Sequence, residues 1–62
     1  MPFEPAVGDA VAFLIESQRR VILHCERLLP ANDLTPEDRT RLVRLRNAAE
    51  AELARLTYAE AA

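Results

Sequence analysis

A helix-start signal lies near the middle of this chain. Thr35 suits a helix N-cap because its hydroxyl can accept a hydrogen bond from a first-turn amide, and Pro36 suits the first helical position. Glu37 and Asp38 then place negative charge in the first turn, where the helix dipole favours it. Since Pro30 ends any preceding helix, the 62 residues are predicted to form two helices joined by a short connection.

These signals predict an all-α fold, an antiparallel hairpin of two helices. Residues 1–8 are expected to form an extended N-terminal arm, since they contain two prolines and the only glycine. Asp9 is the preferred N-cap of the first helix, although Pro5 offers a competing start. The hairpin domain is predicted over 9–60, with a helix at 9–29, a turn at 30–35 and a helix at 36–59.

The size of the chain predicts that the hairpin needs support. A domain of this length buries only about 60% of its unfolded surface, and small domains usually add disulfides, a metal or oligomerisation. The single cysteine cannot form an internal disulfide, and no metal-ligand cluster is visible. A net charge of −2 argues against a strongly electrostatic partner. No secretory signal and no membrane-spanning run are visible, so a cytoplasmic location is expected.

Three adjoining columns of the first helix are mostly apolar. Numbered as a heptad, they are d (Val7, Leu14, Val21, Leu28), a (Val11, Gln18, Cys25) and e (Ile15, Ile22, Leu29). A hairpin gives each helix one neighbour, which is not expected to cover the e column, so the hairpin is predicted to dimerise into a four-helix bundle. A different protein that supplies the missing helices is the main competing explanation. The predicted dimer interface comprises Val11, Leu14, Ile15, Gln18, Ile22, Cys25, Leu29, Leu42, Leu45, Ala49, Leu53 and Leu56.

Few residues suggest chemistry. His24 and Cys25 are adjacent on a helix and therefore point in different directions, and Cys25 is most simply a small buried side chain. The single histidine is already placed on the first helix, so no set of Ser, His and acid is available for a catalytic triad. Two helices also offer no deep pocket, and we therefore expect no enzyme, cofactor or metal site. Gln18 is the polar exception in the a column, where it either sets the register of the assembly or lies at the bundle edge.

Two outward stripes are candidates for binding a partner. On the second helix, an uncharged stripe is predicted to dock another protein: Val43, Asn47, Ala51, Ala54 and Tyr58. On the first helix, one aromatic among cations is a pattern that can stack on and neutralise RNA: Phe13, Arg20, His24 and Arg27. Arg39, Arg41, Arg44 and Arg46 separate to both flanks of the second helix, which suits side chains that cover an interface rather than a nucleic-acid surface.

A helix, short turn and helix that dimerises in a chain of this length resembles the Rop family of plasmid RNA-binding proteins, and Phe13 and Gln18 are compatible with that likeness. The resemblance implies RNA binding across the first helices. The residues themselves favour a dimeric protein-interaction module, such as an adaptor, a regulatory subunit or a phage- or plasmid-type modulator. RNA binding through the stripe on the first helix is the alternative, and a purely structural oligomer is a third possibility.

Overall fold

A computed structural model of the chain describes residues 7–61, with side chains for residues 9–59. Two helices, α1 (Val7–Leu28) and α2 (Pro36–Ala61), pack against each other, and the described residues contain no strand. The predicted all-α helical hairpin is therefore confirmed. Residues 1–6 of the predicted arm lie outside the described residues.

The helix ends differ from prediction by one or two residues. α1 begins at Val7 rather than Asp9, so Val7 and Gly8 are helical and do not belong to an extended arm. One Gly costs a helix only about 1 kcal/mol relative to Ala, and Asp9 remains in the first turn, where the helix dipole favours its charge. α1 ends at Leu28, and α2 continues to Ala61 because neither Pro nor Gly interrupts its last turns.

The start of α2 is the one that the sequence predicts. The Thr35 hydroxyl accepts a hydrogen bond from the Asp38 backbone N–H at 3.1 Å, and the Thr35 carbonyl accepts the Arg39 backbone N–H at 2.9 Å. Thr35 is thus the N-cap and Pro36 the first helical residue, where a missing N–H costs no intrahelical bond.

The end of α1 is closed without a left-handed glycine, since no described residue has a positive φ. The Ala31 backbone N–H donates to the Leu28 carbonyl at 3.0 Å. The Arg39 guanidinium then reaches across the turn and donates to the carbonyls of Leu29 at 2.8 Å and Ala31 at 3.3 Å. A cation at the C-terminal end of a helix satisfies free carbonyls and suits the helix dipole. Arg39 therefore ties the first turn of α2 to the end of α1.

The seam between the helices contains the few buried side chains. Ile15, Cys25, Ala49 and Leu56 are the buried apolar residues of the described part of the chain. On α1 the seam follows the a and e columns, and on α2 it follows positions 42, 46, 49, 53 and 56. The expectation that a lone hairpin leaves the e column uncovered is wrong for Ile15, which is only 6% exposed, while Ile22 and Leu29 are half-buried.

Two helices side by side make a single layer. The layer is one helix thick, which is about 10–12 Å when side chains are included. A layer of this kind can bury only the strip where its two helices meet. Both of its broad faces therefore remain open.

Candidate interaction surfaces

The two broad faces of the hairpin can be told apart by one shallow groove. This groove, of about 250 Å³, is lined by Ala12, Ile15, Glu16 and Arg19 of α1 and Thr57 of α2. At about 100° per residue, the d column lies on the opposite side of the α1 seam from Arg19. By the same rotation, Leu45 lies on the opposite side of the α2 seam from Thr57. The d column and Leu45 therefore share the broad face that faces away from the groove.

We call the broad face that faces away from the groove the apolar face. It is defined by Leu14, Val21, Leu28 and Leu45. Leu14 is 44% exposed and Leu45 47% exposed, while Val21 is half-buried. Arg41 and Glu52 of α2 form its charged rim on the side away from α1. Leucine side chains that remain this accessible, gathered on one face of a single layer, mark a surface suited to contact with another helix.

The residues predicted for the dimer interface fall into two groups. Most of them line the seam within one hairpin: Val11, Ile15, Gln18, Ile22, Cys25, Leu29, Leu42, Ala49, Leu53 and Leu56. Leu14 and Leu45 instead lie exposed on the apolar face. Leu28 is also exposed on the apolar face and Val21 is half-buried there, although neither belongs to the predicted set. Dimerisation stays a prediction, now based on the d column.

Arg46 occupies a seam position on α2 that the sequence pattern assigned to Leu45. It is half-buried, and its Nε atom is buried without a hydrogen-bond partner. The long aliphatic stem of an arginine can cover apolar surface while its charged end reaches outward. A pattern of apolar residues therefore indicates Leu45 in place of Arg46. Since Leu45 lies on the apolar face, the predicted contact surface of α2 is rotated away from the seam.

The α2 outer stripe is the predicted partner-binding set: Val43, Asn47, Ala51, Ala54 and Tyr58. Tyr58 is 80% exposed, and Asn47, Ala51 and Ala54 are also exposed, whereas Val43 is half-buried at the edge of the stripe. The nearby Thr40 hydroxyl donates to the Pro36 carbonyl at 2.9 Å, so that hydroxyl is already satisfied within α2. The structure therefore presents an uncharged surface with one prominent aromatic ring.

The α1 outer stripe carries the residues of the RNA hypothesis: Phe13, Arg20, His24 and Arg27. All of them are exposed, with Phe13 at 69%. Within the side chains described, Arg20 and Arg27 form no ion pair, whereas Arg19 pairs with Glu16 at 3.5 Å just outside the stripe. The structure thus brings one aromatic ring and two free guanidinium groups onto one helix surface.

The ion pairs of residues 9–59 join side chains three positions apart on one helix. In residues 9–59, the i,i+4 pairs available to Glu37 with Arg41 and to Arg46 with Glu50 are not made. Arg55 instead pairs with Glu52 one turn earlier, through its Nε at 3.0 Å and through Nη2. The hydrogen bond from Arg55 holds the pKa of the Glu52 carboxyl below its ordinary value, and the same bond raises the pKa of Arg55.

The three side chains considered for chemistry or register, Gln18, His24 and Cys25, lie in different environments. Gln18 is half-buried between the two helices of one hairpin, Cys25 is fully buried, and His24 is exposed on α1. His24 and Cys25 therefore do not form a pair. Whether Gln18 sets the register of an assembly stays a prediction.

Neither helix, over residues 7–61, combines the length and apolar character needed to span a membrane. Among the described side chains, no three His, Cys, Asp or Glu residues come together as a metal site. No model of a known protein family matches this chain, and no curated protein or solved structure matches it either.

Proposed function

We propose that this protein is a small cytoplasmic interaction module, in which hairpins self-associate into a four-helix bundle and bind another protein through the α2 outer stripe. Such a module can serve as an adaptor, a regulatory subunit or a modulator of a larger complex. The observation that carries the proposal is the single-layer fold, which leaves Leu14, Leu28 and Leu45 exposed on one face. Side chains of this size contribute to stability only when another surface covers them.

The α2 outer stripe supports the second part of the proposal. It turns away from the seam and from the apolar face, so it stays accessible when hairpins associate. Ala51 and Ala54 allow a docking helix to approach closely, and Tyr58 offers a large rigid ring with a polar end, a type of residue that is enriched in protein interfaces. The stripe has the geometry of helix-in-groove recognition, in which apolar positions at helical spacing contact one partner.

Partner capture from the native host tests this proposal. We expect Tyr58→Glu to abolish capture, because it places a charge at the centre of the contact, while Tyr58→Phe retains it. The control is Arg20→Glu with Arg27→Glu, which changes the other outer stripe and should leave capture largely intact. Light scattering on each variant shows whether the assembly is unchanged. Undiminished capture by Tyr58→Glu contradicts docking at this stripe.

RNA binding through the α1 outer stripe is the second candidate, favoured by the exposed Phe13 and the two free arginines. Its signature is a steep loss of affinity as salt increases, because each neutralised phosphate releases counterions. Docking at the uncharged α2 stripe depends little on salt. RNA binding is favoured if retention of the bound partner is sensitive to both salt and RNase. Arg20→Glu with Arg27→Glu should then lose this retention, and Tyr58→Glu should keep it.

A further inference from the structure

We propose that a second copy of this chain covers the apolar face, with α1 of the two copies packed antiparallel and Val21 near the two-fold axis. This inference rests on the proposed function, which supplies the self-association of hairpins. It adds which surface the two copies share. It replaces the e column, which the hairpin covers by itself, with the d column as the contact between copies.

The d column is suited to burial against an apolar surface. Between Leu14 and Leu28, this side of α1 contains no Asp, Glu or Arg, and the exposed His24 lies near its edge. Ser17 is the other polar group there, and its hydroxyl donates to the Phe13 carbonyl at 3.0 Å. That hydrogen bond lies within α1, so covering Ser17 leaves no donor unsatisfied.

The spacing of the column fits a second copy running in the opposite direction. Leu14 lies seven residues before Val21, and Leu28 lies seven residues after it. An antiparallel pairing centred on Val21 therefore sets Leu14 against Leu28 of the second copy, and each Val21 against the other. A two-fold interface requires a self-complementary patch of this kind.

The size of the face also fits a dimer. α1 and α2 have 22 and 26 residues, which at 1.5 Å per residue gives a face about 33–39 Å long. With helix axes about 8–10 Å apart, two helices span about 20 Å. The resulting area of roughly 650–800 Å² approaches the ~800 Å² that each partner buries in a standard stable interface.

The charged rim of the face selects between the two ways of stacking two hairpins. Packing α1 on α2 of the second copy would set Arg41 and Glu52 against the apolar d column, where burial removes hydration from their charges. Packing α1 on α1 keeps apolar against apolar and brings the charged rims of α2 together at the edge. The second arrangement avoids burying a charge against leucine.

Charge substitution with a matched control tests the location of the interface. We expect the native chain to have a mass of about 14 kDa in solution, twice the 7.0 kDa of one chain. Leu14→Glu should shift that mass to 7 kDa or unfold the chain, because dimerisation and folding are linked. The control is Leu23→Glu, since Leu23 is a 62% exposed leucine of the same helix that lies off the apolar face and should leave the dimer intact.

Cross-linking tests the arrangement with a variant that keeps the fold. Val21→Cys places a thiol near the proposed axis, while the native Cys25 is fully buried and cannot compete. We expect mild oxidation by oxygen to join most Val21→Cys chains into a disulfide-linked dimer, because the two thiols lie next to each other at the axis, and to leave Leu23→Cys at the background of the native chain. A 14 kDa species in which Val21→Cys does not cross-link, or in which Leu23→Cys does, overturns the inference.

Two further results separate this inference from the proposed function. A dimer that tolerates Leu14→Glu refutes the apolar face as the contact, while self-association and docking at Tyr58 are unaffected. Conversely, Val21→Cys cross-linking together with undiminished partner capture by Tyr58→Glu supports this inference and contradicts the proposed docking stripe. A native mass of 7.0 kDa with a helical spectrum contradicts self-association and this inference together.

Discussion

The turn and the body of this hairpin are stabilised in different ways. At the turn, Thr35 caps α2 and Arg39 closes the end of α1, so the free backbone groups there find partners within the chain. In the body, the buried apolar residues of the described chain form a narrow strip, and leucines stay exposed beside it. The turn is thus complete in one copy, whereas the body is a layer that a second copy would complete. Four substitutions test this difference between the turn and the body.

The largest effect is expected in the body, at Ile15. Ile15→Ala removes a side chain that is 6% exposed and should lower the free energy of unfolding by about 3 kcal/mol per chain, from lost burial and a residual cavity. Thermal or urea denaturation measures the loss, and Ile15→Val should cost about 1 kcal/mol. Leu23→Ala, a change to an exposed leucine, should stay within about 0.5 kcal/mol. Equal losses for Ile15→Ala and Leu23→Ala would contradict the position of the seam.

The next effect is expected at the N-cap of α2. Thr35→Ala removes the hydroxyl that accepts the Asp38 N–H and should cost about 1 kcal/mol per chain. The control is Thr40→Ala, in which the lost hydroxyl bonds back to the Pro36 carbonyl within the helix. Because Ala is the better helix former, that change should be neutral or slightly stabilising. A denaturation midpoint unchanged by Thr35→Ala would show that the cap contributes nothing.

A smaller effect is expected from the cross-turn contact of Arg39. Arg39→Met keeps most of the aliphatic length and removes the donors to the Leu29 and Ala31 carbonyls, so it should cost about 0.5–1 kcal/mol. Arg44→Met removes an exposed arginine elsewhere on α2 and is the matched control. If the two variants unfold at the same denaturant concentration, the guanidinium does not stabilise the turn.

The smallest effect is a pH dependence from Glu52. Its pKa is lowered in the folded chain by the hydrogen bond from Arg55, so the pair stabilises the fold above the ordinary carboxyl pKa of 4.5 and loses that contribution as pH falls through the lowered value. Both side chains are exposed, so the contribution is small. Glu52→Gln should flatten the acid limb of the stability curve slightly more than Glu16→Gln does. The same curve for both variants would contradict a stabilising pair at Glu52.

The turn was predictable from sequence because its signals are local. Thr35 and Pro36 specify the start of α2 within one turn of helix, and the structure confirms the cap bond. The Arg39 contact was not predictable, because it depends on how far the end of α1 lies from α2. The predicted start of α1 is wrong because the sequence pattern places Gly8 at the end of an extended arm. A single Gly destabilises a helix only slightly, and the helix includes Gly8.

The body was only partly predictable, because periodicity identifies apolar columns without assigning them to neighbours. Three columns on α1 were correctly found, but one hairpin uses a and e and leaves d open. On α2 the choice between Leu45 and Arg46 depends on the stem of an arginine, which a pattern of apolar residues cannot register. The outer stripes lie opposite the seam on either assignment, and their residues are exposed apart from the half-buried Val43. Their binding of a partner stays a prediction.

If a second copy completes the body of the hairpin, the melting temperature of the protein depends on its concentration. If folding requires dimerisation, the melting temperature rises steadily as the protein concentration is increased over a hundredfold range. We expect this rise in melting temperature for the native chain and for Leu23→Glu. A melting temperature that stays constant over that range, with a mass of 7.0 kDa throughout, would contradict it.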